Sequence, residues 1–486
     1  MARVRARILQ LWIRFRTQGA RHGLNLDAER PVWAVGLVAL AFACAMPLSA
    51  RVAPLPDGAA ANERVGPIGQ ALRDQLAGGD AALDAVYRDR GYRAIWIQGW
   101  GLKPDARAAI QALGSARDDG LDPEAYGVSG LAEVLAQAAS RTPADLARAE
   151  IALSRALSGY LTDLHAVRPG AEMIYADPAV APPRLDRAGV LRVLTSARSP
   201  AAAVAELKRM NPLYLQLRSA LTAWRARAGD TATERLIRAN LERARALPAD
   251  LGSRYILVDA AAQTLWFYED GRVVGSMPVV VGKLSEPTPV MAGLIRYAVV
   301  RPYWNVPPDL AAHTFAPQVL RYGPGWLDSQ DMEPLSDWTA QARVLAPEEI
   351  DWASVAAGRQ VLRLRQRPGA HNMMGQVKFI FPNSLGVYLH DSPLRQFFSE
   401  TRRTESAGCV RLSDAPRLAR WLLADRADAV GQPGEPETRV DLDQPIPVYL
   451  VYFTATPSGT SLAFRPDIYH RDAALEARLA APAAQS

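Results

Sequence analysis

Apolar and polar positions follow one rhythm in the first half of the chain and another in the second. From about residue 68 to 229, apolar side chains recur every three or four positions, as in ALRDQLAGGDAALDAVYRDRGY and ARAEIALSRALSGYLTDLHAV, which predicts amphipathic helices. Gly79, Gly91, Gly120 and Pro143 punctuate them. TERLIRANLERARAL predicts one more helix, a connector within residues 230–250 that stops at Pro248. The pattern then changes. Residues 251–455 read as a mainly β domain, starting with RYILVDAAAQTLWFYEDGRVVGSMPVVVG, where Glu269-Asp270-Gly271 marks a hairpin turn. Residues 309–360 lose the alternation and read as an insertion. Strand character returns in VKFIFPN and GVYLH, SDAPRLARWLLAD predicts a short helix capped by Ser413 or Asp414, and PIPVYLVYFTA predicts a last strand. Residues 51–67 read as a tether, and the Ala-rich residues 456–486 as a tail. The expected class is multidomain α+β.

Charge changes this picture at one end only. The formal net charge is +6, and residues 1–51 hold eight arginines against Asp27 and Glu29, so the rest of the chain is neutral. Nucleic acid is therefore not an expected partner. Residues 1–30 are basic, and no charge interrupts Pro31–Ala50, a run near the lower limit for crossing a bilayer. With arginines before it, the run predicts either a membrane anchor or a signal segment cleaved near Ser49-Ala50. Either way, the chain after residue 51 is expected outside the cytoplasmic membrane.

That location makes the cysteines informative. Cys44 lies in the apolar run, which leaves Cys409 without a partner cysteine. A lone thiol in an oxidising compartment is either an inert buried residue or a reactive one. In GVYLH, strand alternation puts Tyr388 and His390 on one face and Val387 and Leu389 on the other. A histidine near a lone cysteine suits thiol catalysis, because imidazole can take the thiol proton. Gly408 removes bulk beside the nucleophile and leaves the 408–409 backbone N–H groups as a candidate oxyanion hole.

The wording around these residues is more specific. His390 followed by Ser406-Ala407-Gly408-Cys409-Val410-Arg411 resembles the L,D-transpeptidase signature. VKFIFPNSLGVYLHDSP, TPVMAGLIRYAVVRPYWNVPP and FRPDIYHRD resemble its large, scaffold-bearing YcbB-type branch, and RGYRAIWI, DDGLDPEAYGV and NPLYLQL resemble that branch's scaffold domain. The resemblance implies a mainly β catalytic domain with a YkuD-like fold, a substrate-capping insertion at 309–360 and a helical scaffold at 68–229. It implies Cys409 as nucleophile, His390 as general base and acid, Gly408 and Cys409 as backbone donors, and Tyr388 on the oxyanion side. Ser406 would orient the histidine, and Arg411 would either clamp a substrate carboxylate or form a structural ion pair. The implied reaction forms 3→3 cross-links between peptidoglycan stem peptides through a cysteine thioester, with release of D-Ala and no cofactor or metal. Carbapenems would be expected to acylate the thiol. Water as acceptor would give a carboxypeptidase or cross-link hydrolase, and loss of turnover would leave a wall-binding assembly protein. Proteins of cell-wall synthesis are further candidate partners, and the periplasm is the expected location. One departure stands out: Ala228-Gly229-Asp230 runs straight into the connecting helix, with no recognisable peptidoglycan-binding domain.

Other candidates carry less. His371 in PGAHNMMG reads as a loop histidine, and His165, His313 and His470 lack ligand spacing. Trp304, Trp326 and Trp338 fit either a peptide groove or the anchoring of the insertion.

Overall fold

The computed structural model describes residues 65–458 and 461–480. The expected anchor at 31–50, the basic segment before it and most of the tether lie outside the described residues. Among the described residues, no helix is long and apolar enough to cross a membrane.

The first half is helical, as its periodicity predicts. The long helix Pro143–His165 buries Leu146, Leu153, Leu157, Leu161 and Leu164 against its neighbours. Thr142 caps it, and Pro143 opens its first turn. Two short strands, β1 (Ile97–Gln98) and β2 (Gly101–Leu102), form a hairpin, and β3 (Ile174–Tyr175) leaves the helical region to join the main sheet. Helix Pro212–Ala226 ends the region, and the connector begins at Thr231, so no third domain lies between them.

The connector, Thr231–Arg245, is more than a spacer, since its last turns bury Asn240, Glu242, Arg243 and Arg245. Arg245 ion-pairs with Glu242 at 3.2 Å and donates to the carbonyls of Asp163 and Asp119. Asn240 and Arg243 both reach Thr454, near the end of the β domain. Buried charges held in this way fix one geometry, since breaking one partner leaves the other uncompensated.

The second half is a sheet that closes on itself. Its strands are β4 (Arg254–Asp259), β5 (Thr264–Glu269), β6 (Arg272–Val280), β7 (Met291–Val300), β11 (Val377–Ile380), β12 (Leu389–His390), β13 (Val410–Leu412) and β14 (Thr438–Val451). The order is β11-β12-β13-β6-β5-β4-β14-β7, and β7 pairs again with β11. Strand alternation divides the β4 side chains between two cores. Ile256 and Val258 pack in the barrel's core, while Tyr255 and Leu257 pack with the scaffold helices. The helix Ala415–Leu423 covers the barrel core with Leu418 and Leu422, and Asp414 is its N-cap.

The insertion is better ordered than its sequence suggests. Strands β8 (Trp304–Val306), β9 (Met332–Leu335) and β10 (Arg363–Gln366) form a small sheet in the order β8-β10-β9, so the unit spans 304–366 instead of 309–360. Prolines and short helices between the strands hide the alternation. Trp304 and Trp326 pack on Phe315 within the insertion, whereas Trp338 is exposed.

The expected tail at 456–486 is corrected for its described part. Strands β15 (Ala455–Ser458) and β16 (Ser461–Phe464) form a hairpin, and helix Asp472–Ala480 packs Leu475 against Ala171 and Ala239. The Ala-rich composition conceals the residues that fasten it. Tyr452 stacks on Tyr469 at 5.3 Å, and Asp467 accepts the Arg471 and Asp472 N–H groups.

Candidate active site

Two short parallel strands build the site. In their register Leu389 lies opposite Val410, and His390 opposite Arg411. Leu389 and Val410 are buried in the barrel core, so alternation turns Tyr388, His390, Cys409 and Arg411 to the other face. The Tyr388 ring meets the His390 ring edge-on at 5.8 Å. On the far side of His390, β11 places Lys378 directly opposite, and Lys378 is ion-paired with Glu437 at 3.1 Å.

The turn before Cys409 is fastened from within and from a distance. The Ser406 hydroxyl donates to the Cys409 carbonyl at 2.5 Å and accepts the Gly408 N–H at 3.2 Å. The Thr288 hydroxyl donates to the Gly408 carbonyl at 2.9 Å and accepts the Gly282 N–H at 2.9 Å. Gly408 has φ of 104°, a conformation that favours glycine.

Two sequence-based roles change here. The Gly408 N–H is already engaged by Ser406, which leaves the Cys409 N–H as the free donor of the pair among the described residues. The Ser406 hydroxyl bonds the turn, while the histidine is oriented by the Asp391 carbonyl, 2.6 Å from its Nδ1. Ser406→Ala should therefore destabilise the fold by about 1–3 kcal/mol, the usual cost of stranding buried polar groups. Denaturant unfolding would measure it, and an unchanged midpoint would contradict this role.

The histidine's state follows from its contacts. A carbonyl can only accept, so Nδ1 carries the proton. Burial, helped by the neighbouring Arg411 and Lys378 charges, lowers the imidazole pKa from 6.5 to about 3. The ring is therefore neutral near pH 7, with its lone pair on Nε2. That is the tautomer a general base needs.

The thiol is also held neutral. Burial pushes the Cys409 pKa up, against the opposing effects of the Tyr388 backbone N–H and the Arg411 guanidinium. Its Sγ lies 3.6 Å from the Gly386 carbonyl, and no hydrogen bond joins it to His390 among the described residues. The pair is therefore two adjacent uncharged groups rather than a preformed ion pair, and the thiol must turn from Gly386 to meet the imidazole. Such bonds are often loose until substrate binds.

Arg411 completes the face. Its Nη1 is buried with no hydrogen-bond partner, and no carboxylate lies within ion-pair distance among the described residues. Burial lowers its pKa to about 10, although Cys409 and Glu405 favour its charge. Because Arg411 stabilises the thiolate, Arg411→Met should raise the thiol pKa. The pH dependence of Cys409 alkylation by iodoacetamide measures this, and a profile that did not move would remove Arg411 from the electrostatics of the site.

Comparisons with known proteins assign both halves of the chain to domain families. Residues 253–442 match the family model described as L,D-transpeptidase catalytic domain, and residues 81–221 match one described as scaffold domain. The chain thus carries a domain of the L,D-transpeptidase catalytic family together with a scaffold domain. A Haemophilus influenzae protein provisionally named an L,D-transpeptidase is 30% identical over 268 residues, covering 54% of this chain and 53% of that protein. The chain thus matches about half the length of that curated relative. Among solved structures, an L,D-transpeptidase from Mycobacterium smegmatis is 16% identical with a TM-score of 0.21, over 41% of this chain and 58% of that one.

Sequence reasoning missed Thr288 and Asp391, both of which position this L,D-transpeptidase site. Asp391 directly follows His390, and its side chain accepts the Gln376 N–H at 2.9 Å and pairs with Arg395 at 2.8 Å. Thr288 carries no local signal, because its partner is 120 residues away.

Proposed function

We propose that this protein is a peptidoglycan L,D-transpeptidase that forms 3→3 cross-links through a Cys409 thioester. The observation that carries the reading is a buried imidazole whose Nδ1 bonds the Asp391 carbonyl, with no hydrogen bond on Nε2 among the described residues, beside the lone thiol of the matched domain. Sγ attacks the carbonyl joining the third stem residue to the terminal D-Ala while Nε2 takes the thiol proton. The C–N bond then breaks, and the imidazolium returns that proton to the departing D-Ala amine. An amine of a second stem attacks the thioester, loses a proton to Nε2, and releases Sγ as thiol. The Cys409 N–H faces the developing oxyanion, with the Tyr388 ring on the same side.

Arg411 suits a donor that brings a carboxylate into the site. Its buried, unpartnered Nη1 gains charge-assisted hydrogen bonds when such a group arrives. Stem peptides lie outside the cytoplasmic membrane, so the proposal places the domain in the periplasm, with residues 31–50 as its anchor. Incubating the purified protein with tetrapeptide wall fragments, followed by digestion and mass analysis, tests the reading. Dimers with 3→3 links are expected. Tripeptides alone would replace the cross-linking reading with a hydrolytic one, and unchanged fragments would overturn both.

A further inference from the structure

A cavity lies away from Cys409, where the scaffold, the connector, the barrel and the C-terminal segment meet. Its volume is about 360 Å³. Met173, Pro289, Val290 and Phe453 give it apolar walls, and the arginines Arg243 and Arg471 also line it. The two arginines differ. Arg243 is paired with Asp472 at 2.7 Å, whereas the Arg471 guanidinium has no hydrogen bond and no ion pair among the described residues. It rests on the rings of Tyr452 and Tyr469, at 5.2 and 4.9 Å.

The other charges nearby are occupied. Glu172 accepts the Gly170 N–H at 2.5 Å. Asp467 is taken up by the Tyr452 hydroxyl and the N–H groups of Arg471 and Asp472. Arg478 lies against Gly170, beside the cavity, and adds positive charge. Arg471 thus offers a planar, unpaired fork beside an apolar space, a combination that suits an anionic head group with an apolar body.

The cavity also touches the support of the catalytic turn. The Tyr469 hydroxyl donates to the Gly282 carbonyl at 2.7 Å and accepts the Thr288 N–H at 3.3 Å. Thr288 holds the Gly408 carbonyl, and the next two residues, Pro289 and Val290, line the cavity. From Arg471 to the residue before the nucleophile there are only two intermediaries, Tyr469 and Thr288.

We propose that this cavity binds a small organic anion, a carboxylate or phosphate on an apolar body, received by Arg471, and that occupancy reaches the Cys409 turn through Tyr469 and Thr288. The site stands independently of the proposed cross-linking reaction, because neither its ligand nor its readout requires turnover.

The test uses the full chain, with butyrate and butyl phosphate as probes in a buffer free of other anions that arginine binds. Calorimetry should show saturable binding of at least one probe, and the tighter one identifies the head group. Arg471→Gln should weaken it at least about tenfold, the loss expected for a charge-assisted bidentate contact. Val290→Trp, which fills the cavity and keeps Arg471, should do the same and covers the case in which Arg471→Gln does not fold. Alkylation of Cys409 by iodoacetamide should change in rate with probe concentration in the unaltered protein and not in the folded variants. No saturable binding, or equal binding by a folded variant, would overturn the site. Binding with no change in alkylation would overturn the link to the turn.

Discussion

Replacing Cys409 by alanine will abolish release of D-Ala from tetrapeptide stems and leave the fold intact. The first half follows from the chemistry, since no second thiol among the described residues can take over the attack. Loss of a covalent nucleophile typically costs at least about 10³-fold in rate. The second half follows from how the turn is held. The Ser406 hydroxyl bonds the Cys409 carbonyl, the Val410 N–H bonds the Tyr388 carbonyl at 3.1 Å, and Thr288 bonds the Gly408 carbonyl. None of these contacts uses the sulfur. Thermal unfolding of Cys409→Ala should therefore match that of the parent within a degree or two, which separates lost chemistry from lost structure. Intact mass after carbapenem treatment gives a second readout, with one adduct on the parent and none on the variant. Release of D-Ala by folded Cys409→Ala would end the thioester mechanism.

The candidate nucleophile stands out in the sequence because its signal is local: a lone cysteine, a preceding glycine, and a histidine on an alternating strand. The helical scaffold was legible for a similar reason, since amphipathic spacing repeats within each helix. What stayed hidden depends on partners distant in sequence. Thr288 reaches Gly408 across 120 residues, and no periodicity signals such a bond. The pairing of β7 with β11, which closes the barrel, has no sequence mark either. The C-terminal segment looked like a tail because alanine dominates its composition, while a few residues, Asp467, Tyr469 and Leu475, fix it in place. The roles of Gly408 and Ser406 shifted for a further reason. Spacing shows that donors are present, but only coordinates show which are already spent.

Replacing His390 by glutamine will slow acylation by about 10²- to 10⁴-fold, the usual contribution of a positioned general base. It will also change the shape of the pH profile. In the parent, imidazole and thiol are both neutral, so acylation near neutrality needs no prior ionisation. The rate should be level from pH 5 to 8, with no inflection at the ordinary histidine value of 6.5, because the imidazole protonates only near 3. Without Nε2 the variant depends on the small thiolate population. Its rate should climb about tenfold per pH unit until the raised thiol pKa is reached.

Stability gives an independent check with a definite sign. The folded His390 pKa lies below its unfolded value, so between pH 6.5 and 3 the unfolded chain binds the extra proton. Stability from this residue is complete above 6.5 and is lost as the pH falls toward 3. Asp259 acts in the opposite sense, because burial raises its pKa from 3.8 to about 6, so its contribution is lost as the pH rises through that interval. Subtracting the His390→Gln unfolding curve from that of the parent cancels Asp259 and isolates the histidine. A parent acylation-rate profile with an inflection near 6.5, or a stability difference curve flat between pH 6.5 and 4, would mean that the imidazole is not held neutral by burial.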